Sequence, residues 1–137
     1  MIKISKATNK EALGKDWQKI IDQYYGQGLP WWEKYYRYKA TEDGKLLGTI
    51  EGKVEPGCVN INALMTTESA RGKGVGTMLI KQAESLGKKL GAHRTWLFTG
   101  KDWQSNGFYQ KLGFKTIGHL KDFYYHKDFV IYTRPIK

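Results

Sequence analysis

Residues 71 to 76 read Arg71-Gly72-Lys73-Gly74-Val75-Gly76, with a glycine at every second position. Glycine has no Cβ, so such a loop turns tightly and its N–H groups approach a ligand closely. The run before it, Cys58 to Thr66, resembles a strand, and the apolar spacing after it predicts an amphipathic helix. A helix N-terminus has unpaired donors and a favourable dipole, so this element suits a pyrophosphate.

Two other phosphate-binding loops do not match this pattern. A Walker A loop ends in Gly-Lys-Ser/Thr, whereas here Gly76 is followed directly by Thr77. A Rossmann fingerprint has two residues between its second and third glycines, whereas these glycines alternate strictly. The plain alternative is a glycine-rich turn that precedes an ordinary helix.

The remaining pattern, Arg-x-x-Gly-x-Gly, resembles the pyrophosphate loop of the GNAT superfamily of N-acetyltransferases, which lies between that family's fourth strand and a long helix. A second block is similar to the family's later helix motif, Phe-Tyr-x-Lys-x-Gly-Phe: it reads Trp103-Gln104-Ser105-Asn106-Gly107-Phe108-Tyr109-Gln110-Lys111-Leu112-Gly113-Phe114. The order and separation of the two blocks also match. The resemblance covers Val59 to about Leu120 well and the N-terminal third only in outline.

The resemblance and the residue patterns predict one α+β domain over residues 1–137, with the GNAT fold: a mixed, mostly antiparallel sheet flanked by helices. The predicted strands are 3–7, 35–41, 45–54, 58–66, 95–98, 114–120 and 129–134. Helices are predicted after the capping box Thr8-Asn9-Lys10-Glu11, after the glycine loop, and from about Trp103 to Leu112.

Acetyl-CoA is the co-substrate that the resemblance implies. Its pyrophosphate would bind the loop residues Arg71, Gly72, Lys73, Gly74, Val75, Gly76 and Thr77. Its pantetheine arm would pair with the backbone of Leu64, Met65 and Thr66, as though it were another strand. Asp102 stands where the family often has an asparagine that binds pantetheine; a carboxylate there accepts a hydrogen bond but does not donate one.

Tyr109 matches the family's general acid near the thioester sulfur. A phenol with a pKa of about 10 stays protonated at neutral pH and can protonate a departing thiolate. The alternative is that Phe108 and Tyr109 only pack against the sheet. Many family members carry a basic Glu or His on the fourth strand. Strict alternation would put Asn60, Asn62 and Leu64 on one side of that strand, so two amides that do not titrate occupy the base positions.

Those two asparagines either order water or are ordinary polar strand residues, so no general base is assigned; Glu33 and Glu55 are candidates outside the strand. The acceptor is expected near Trp31, Trp32, Asn60 and Asn62, since aromatic rings bind cationic amines through their π faces. Core packing is the alternative for the aromatic residues, including those of segment 123–126. The histidines show no metal-ligand spacing, so no metal is expected.

The net charge is +10, from 23 Lys and Arg against 13 Asp and Glu. This charge suits coenzyme A, or a polyanion such as RNA. The single Cys58, the polar N-terminus and the absence of a long apolar run predict a cytoplasmic protein without a membrane partner.

The predicted activity is acetyl transfer to a primary amine by direct attack in a ternary complex. The alternatives are a non-catalytic acyl-CoA-binding regulatory module and a basic RNA- or ribosome-associated domain, although nucleic acid is not the expected partner. Small amines, polyamines, aminoglycosides, peptide N-termini and lysine all stay open as acceptors, as does a homodimer.

Overall fold

The computed structural model describes residues 1–137, in which six strands form one sheet. The strands are β1 (Lys34–Glu42), β2 (Lys45–Glu55), β3 (Cys58–Thr66), β4 (Arg94–Gly100), β5 (Lys115–Leu120) and β6 (Phe129–Pro135). Their order across the sheet is β1-β2-β3-β4-β6-β5. The helices are α1 (Gly14–Tyr25), α2 (Val75–Lys89) and α3 (Ser105–Lys111). The chain divides into two compact units, residues 1–31 and 32–137, which are described separately.

In the first unit the predicted helix is present and the predicted strand is not. Residues 3–7 pair with no other strand, so the strand prediction there was wrong. The Glu11 carboxylate accepts hydrogen bonds from the Thr8 backbone N and Oγ1 at 2.9 and 3.0 Å, as a capping box should. However, α1 begins only at Gly14, so this box closes a separate turn. Gly26, with φ 75°, ends the helix.

In the second unit the sheet is mixed and mostly antiparallel, as predicted. Only β3 and β4 run parallel, while the other neighbours are antiparallel. The β1–β2 hairpin turns at Asp43 and Gly44, whose φ angles of 52° and 77° fit the tight turn expected between twisted strands. The predicted α+β fold class is confirmed.

Both helices of the second unit lie on one face of this sheet. A Cβ at Gly48 of β2 would lie 3.0 Å from Val75 Cγ1, so α2 packs closely on that strand. The Tyr132 hydroxyl donates to Asn106 Oδ1 at 2.7 Å and holds α3 over β6. The buried core fills the space between, and it includes Ile50, Val54, Val59, Leu79, Ile80, Ala83, Leu97 and Tyr132.

A largely buried ion pair joins α2 to the last strand. Arg134 Nη2 lies 2.6 Å from Glu84 Oε1, and Thr95 Oγ1 donates to the same carboxylate at 2.6 Å. Arg134 also donates to the Leu112 carbonyl at the end of α3 and lies 4.7 Å from the Phe114 ring centroid. Removal of one partner of such a pair costs about 3–5 kcal/mol, so this network fixes α2 and α3 relative to the sheet.

Candidate functional site

The parallel ladder between β3 and β4 is short. It consists of the pairs Cys58↔Arg94, Val59↔Thr95 and Asn60↔Trp96. Beyond these pairs, residues 61–66 of β3 have no neighbour on that side, while β4 continues to pair with β6 as far as Gly100. We call this opening the β3–β4 gap. An extended ligand can add to the unpaired edge of β3 as a strand does.

The glycine loop, residues 71–76, begins five residues after β3 ends. Gly72 and Gly74 have φ angles of 80° and 75°, which a residue with a side chain rarely adopts. A Cβ at either position would meet no protein atom within 4 Å, so the loop surface is open. Four consecutive N–H groups donate to no backbone carbonyl, those of Gly74, Val75, Gly76 and Thr77. These donors fit a pyrophosphate.

The two cations of the loop differ in their environment. Lys73 Nζ lies 3.5 Å from Glu42 Oε1 at the end of β1, and both side chains are more than half exposed. Arg71 is exposed and makes no ion pair. The guanidinium of Arg71 is therefore available to an anionic ligand, whereas Lys73 is shared with the hairpin.

Gly76 makes room for α3. A Cβ at this position would lie 3.0 Å from Cζ of Phe108, so the Phe108 ring packs directly on the first turn of α2. The N–H of Gly76 stays unpaired, while its missing side chain lets the two helices approach. Tyr109, the next residue, belongs to the same buried core cluster as Val75 at the start of α2.

Tyr109 is a core residue with an accessible hydroxyl. Its side chain is 6% exposed, and its ring centroid lies 5.6 Å from that of Phe114 and 5.8 Å from that of Tyr132. The hydroxyl makes no hydrogen bond, yet no fully buried side-chain oxygen lacks a partner, so it reaches the surface. Burial raises the pKa of Tyr109 to about 12. The ring therefore packs in the core, and the hydroxyl keeps its proton for donation.

Asp102 is exposed in the loop that follows β4. That loop is held by Asn106, whose Nδ2 donates to the carbonyls of Gly100, Lys101 and Trp103 at 2.9, 3.0 and 2.7 Å. This role of Asn106 was not predicted from the sequence. The signal for it was an asparagine in the first turn of the predicted helix, where its side chain commonly binds nearby backbone.

A β-bulge changes the expected sides of β3. Gly52 of β2 is opposite Ile61, but Glu51 is opposite Ala63, so Asn62 has no partner on β2. The extra residue shifts every later side chain to the other face. Leu64 therefore shares the face of its partner Ile50 and packs against the core. The prediction that Leu64 lies on the same side as Asn60 and Asn62 was wrong.

Asn60 and Asn62 line one concave groove of about 580 Å³, which we call the Asn60 groove. Its other lining residues are Tyr35, Tyr36, Arg37, Glu51, Gly52 and Lys53. Because Asn60 belongs to the last β3–β4 pair, the groove meets the sheet where the β3–β4 gap begins.

Ion pairs surround the Asn60 groove. Arg37 Nε donates to Glu51 Oε2 at 2.8 Å. Lys53 Nζ lies 2.9 Å from Glu33 Oε1 and 3.8 Å from Glu55 Oε2, so the two proposed outside bases share one lysine. The hydrogen bond to Glu33 is the largest of the effects that raise the pKa of Lys53.

Tyr36 lies beside the same point of the sheet, and the sequence analysis did not select it. It is 6% exposed, and its hydroxyl donates to the Asn60 carbonyl at 2.7 Å. Burial raises the pKa of Tyr36, with further increases from the charges of Glu84, Tyr38 and Tyr109. Tyr36 and Tyr109 thus lie within electrostatic reach of each other. The available signal was Gly52, since a lone glycine in a strand indicates a bulge or a close approach.

The predicted aromatic acceptor residues are distributed over several places. Trp32 packs against the core of the second unit, whereas Trp31 belongs to the first unit and is largely exposed. Phe123 and Tyr124 pack on the Phe98 ring, with centroids 6.0 and 6.1 Å away. These rings form a half-exposed cluster, for which packing is the simpler account.

The remaining reactive groups do not form a second centre. No group of three or more His, Cys, Asp or Glu side chains is placed to hold a metal ion. Burial, followed by the charge of Glu55, raises the pKa of the Cys58 thiol, which favours its unreactive neutral form. None of the helices is both long and apolar enough to cross a bilayer.

The chain is similar to known proteins in sequence and in fold. Residues 6–114 match the family described as the acetyltransferase (GNAT) family. The chain is 31% identical over 96 residues to a blasticidin-S acetyltransferase of Streptomyces morookaense, covering 66% of this chain and 67% of that protein.

Two solved structures are similar in fold. One is a Bacillus subtilis acetyltransferase in complex with CoA, with a TM-score of 0.67 and 23% identity over 98% of this chain and 97% of that one. The other is the ribosomal-protein-S18-alanine N-acetyltransferase of Escherichia coli, with a TM-score of 0.66 and 18% identity over 75% and 70% of the two chains.

Proposed function

We propose, starting from the fact that the chain belongs to the acetyltransferase (GNAT) family, that it transfers an acetyl group from acetyl-CoA to a primary amine of a small molecule. One observation carries the proposal: the unpaired edge of β3 leads to an open glycine loop with four free N–H groups. A long ligand with an extended arm and a pyrophosphate fits this arrangement, with the arm along the edge of β3 and the pyrophosphate at the glycine loop. We take residues 1–137 as one domain for this activity.

Acetyl-CoA would be held by main-chain groups in two places. The backbone of residues 64–66 borders the β3–β4 gap and would take the pantetheine arm. The glycine loop and Thr77 would bind the pyrophosphate, with charge from Arg71 and Lys73, and Asp102 would accept a hydrogen bond from the arm. The co-substrate supplies an acetyl group activated as a thioester.

In the proposed reaction the neutral amine attacks the acetyl carbon directly in a ternary complex. A C–N bond forms as the C–S bond breaks, and the sulfur takes a proton from the Tyr109 hydroxyl, which solvent restores. The surplus proton of the amine passes to water held by Asn60 and Asn62. Direct attack is preferred over a covalent enzyme intermediate because Cys58 favours its neutral form.

The Asn60 groove is the proposed acceptor site. A volume of about 580 Å³ suits a small molecule. The three carboxylates of Glu33, Glu51 and Glu55 outnumber the two cations Arg37 and Lys53 with which they pair, which favours a cationic acceptor. The relatedness to a blasticidin-S acetyltransferase points to basic antibiotics as the first acceptors to examine. A peptide acceptor, a homodimer and a cytoplasmic location belong to the proposal as secondary expectations.

The test is a panel of amines assayed for thiol release that depends on acetyl-CoA. The panel contains blasticidin S, a polyamine, an aminoglycoside and a peptide with a free N-terminus. We expect thiol release with a small basic acceptor and an acetylated product by mass spectrometry. Coenzyme binding without release for any amine would favour the regulatory module. RNA retention at physiological salt without coenzyme binding would favour the nucleic-acid domain.

A further inference from the structure

The carbonyl group of Asn60 lies where the β3–β4 gap begins. Asn60 is the last residue of β3 that pairs with β4, and the bulge at Asn62 follows two residues later. Between these two points β3 separates from β4. A group that holds the Asn60 carbonyl therefore acts on β3 at the residue where this strand diverges from β4 while it stays paired with β2.

Two residues from neighbouring strands meet this carbonyl. The Tyr36 hydroxyl of β1 reaches across β2 and donates to it at 2.7 Å. It passes over Gly52, where a Cβ would overlap the Asn60 oxygen and lie 2.7 Å from the Tyr36 hydroxyl. The hydrogen bond from Tyr36 to the Asn60 carbonyl therefore requires that residue 52 has no side chain.

We infer that Tyr36 is a positioning residue for the co-substrate, because its hydroxyl holds the Asn60 carbonyl and so aligns the free edge of β3 with the pantetheine arm. The inference rests on the proposed function. It makes a specific claim about the arm: the edge of β3 serves the pantetheine, whereas the glycine loop serves the pyrophosphate. Loss of the Tyr36 hydroxyl should therefore weaken binding of the pantetheine arm and leave binding of the pyrophosphate unchanged.

The chain offers a matched control in Tyr38. This residue lies two positions along the same strand, is partly buried, and its ring stacks on that of Tyr36 with centroids 5.9 Å apart. Its hydroxyl makes no hydrogen bond. A Tyr38→Phe variant therefore removes the same atom from the same face without releasing Asn60.

The experiment measures by calorimetry the binding of two ligands, coenzyme A and 3′-phosphoadenosine 5′-diphosphate, which lacks the pantetheine arm. We expect Tyr36→Phe to weaken coenzyme A binding about three- to tenfold, the range that one hydrogen bond contributes, and to leave the nucleotide affinity unchanged. Tyr38→Phe should change neither affinity. Gly52→Ala, whose Cβ would overlap the same carbonyl oxygen, should reproduce the selective loss.

The outcomes separate the inference from its premise. Unchanged coenzyme A affinity in a folded Tyr36→Phe protein would overturn the inference alone, as would an equal loss for both ligands. A wild-type protein that binds neither ligand would overturn the proposed function, and the inference with it. Because Tyr36→Phe keeps the ring and its packing, the result does not depend on whether Gly52→Ala folds.

Discussion

At the scale of single residues, Tyr109 combines two properties that usually exclude each other. Its ring is part of the core, while its hydroxyl reaches the surface. The same burial that packs the ring raises the hydroxyl pKa to about 12. Tyr109 therefore stays protonated well above neutral pH.

Replacement of Tyr109 by phenylalanine should lower kcat by about 10²–10⁴-fold if chemistry limits turnover, since a positioned acid contributes that much. Acetyl-CoA affinity should stay nearly unchanged, because the ring packing remains. Steady-state kinetics and calorimetry on the same preparation measure the two quantities. A loss below about threefold, with chemistry shown to limit the rate, would remove Tyr109 from the mechanism.

The pH dependence follows from Tyr109 and the two asparagines. Asn60 and Asn62 do not ionise, so kcat/KM should rise with pH until the amine reaches its own pKa, about 10 for an alkyl amine. Tyr109 is active when protonated, so its raised pKa moves the fall in activity upward, to about pH 12. The check is a pH profile with one acceptor amine. A rising limb near neutrality would reveal a base, and a fall centred below pH 10 would reveal a different acid.

At the scale of elements, the sequence predicted what neighbouring residues determine. The bounds of β3, the start of α2 and the turn at Asp43 and Gly44 all appear where the pattern placed them. The bulge at Asn62 could not be derived from alternation, because it depends on how β3 pairs with β2. The absent strand at residues 3–7 has the same cause, since a strand exists only through a partner.

The glycine loop should lose its ligand when Gly74 acquires a branched side chain. Gly74→Val places a Cβ on the open surface of the loop and strains a residue with φ 75°. Coenzyme A binding should fall below detection in calorimetry. The matched control is Gly91→Val beyond the other end of α2, where φ is 91° and a Cβ also meets nothing within 4 Å.

Both variants should lose a similar amount of stability, about 1–3 kcal/mol from backbone strain, in chemical unfolding. Only Gly74→Val should lose the coenzyme. If the two variants bind coenzyme A equally well, the loop does not hold the pyrophosphate.

At the scale of the whole molecule, the sequence identified the family, the fold class and the segment around which the site is built. Those conclusions rest on glycine and aromatic motifs that are contiguous in the sequence, so they can be recognised without the structure. The sequence did not predict the roles of three residues, Tyr36, Gly52 and Asn106. Each of them acts on the backbone of another segment, and the residue type alone does not reveal such a partner. Residues that work through another residue's carbonyl become visible only in three dimensions.

The β3–β4 gap also bears on how such a protein changes over generations. The groups that its unpaired edge presents to a ligand are main-chain N–H and C=O groups, which are the same whichever amino acids carry them. Met65, in the middle of this edge, has a side chain that is 70% exposed. Substitution of an outward side chain such as that of Met65 therefore leaves the hydrogen-bonding edge of the strand in place. The loop positions Gly72 and Gly74 are less tolerant, because their positive φ angles favour glycine.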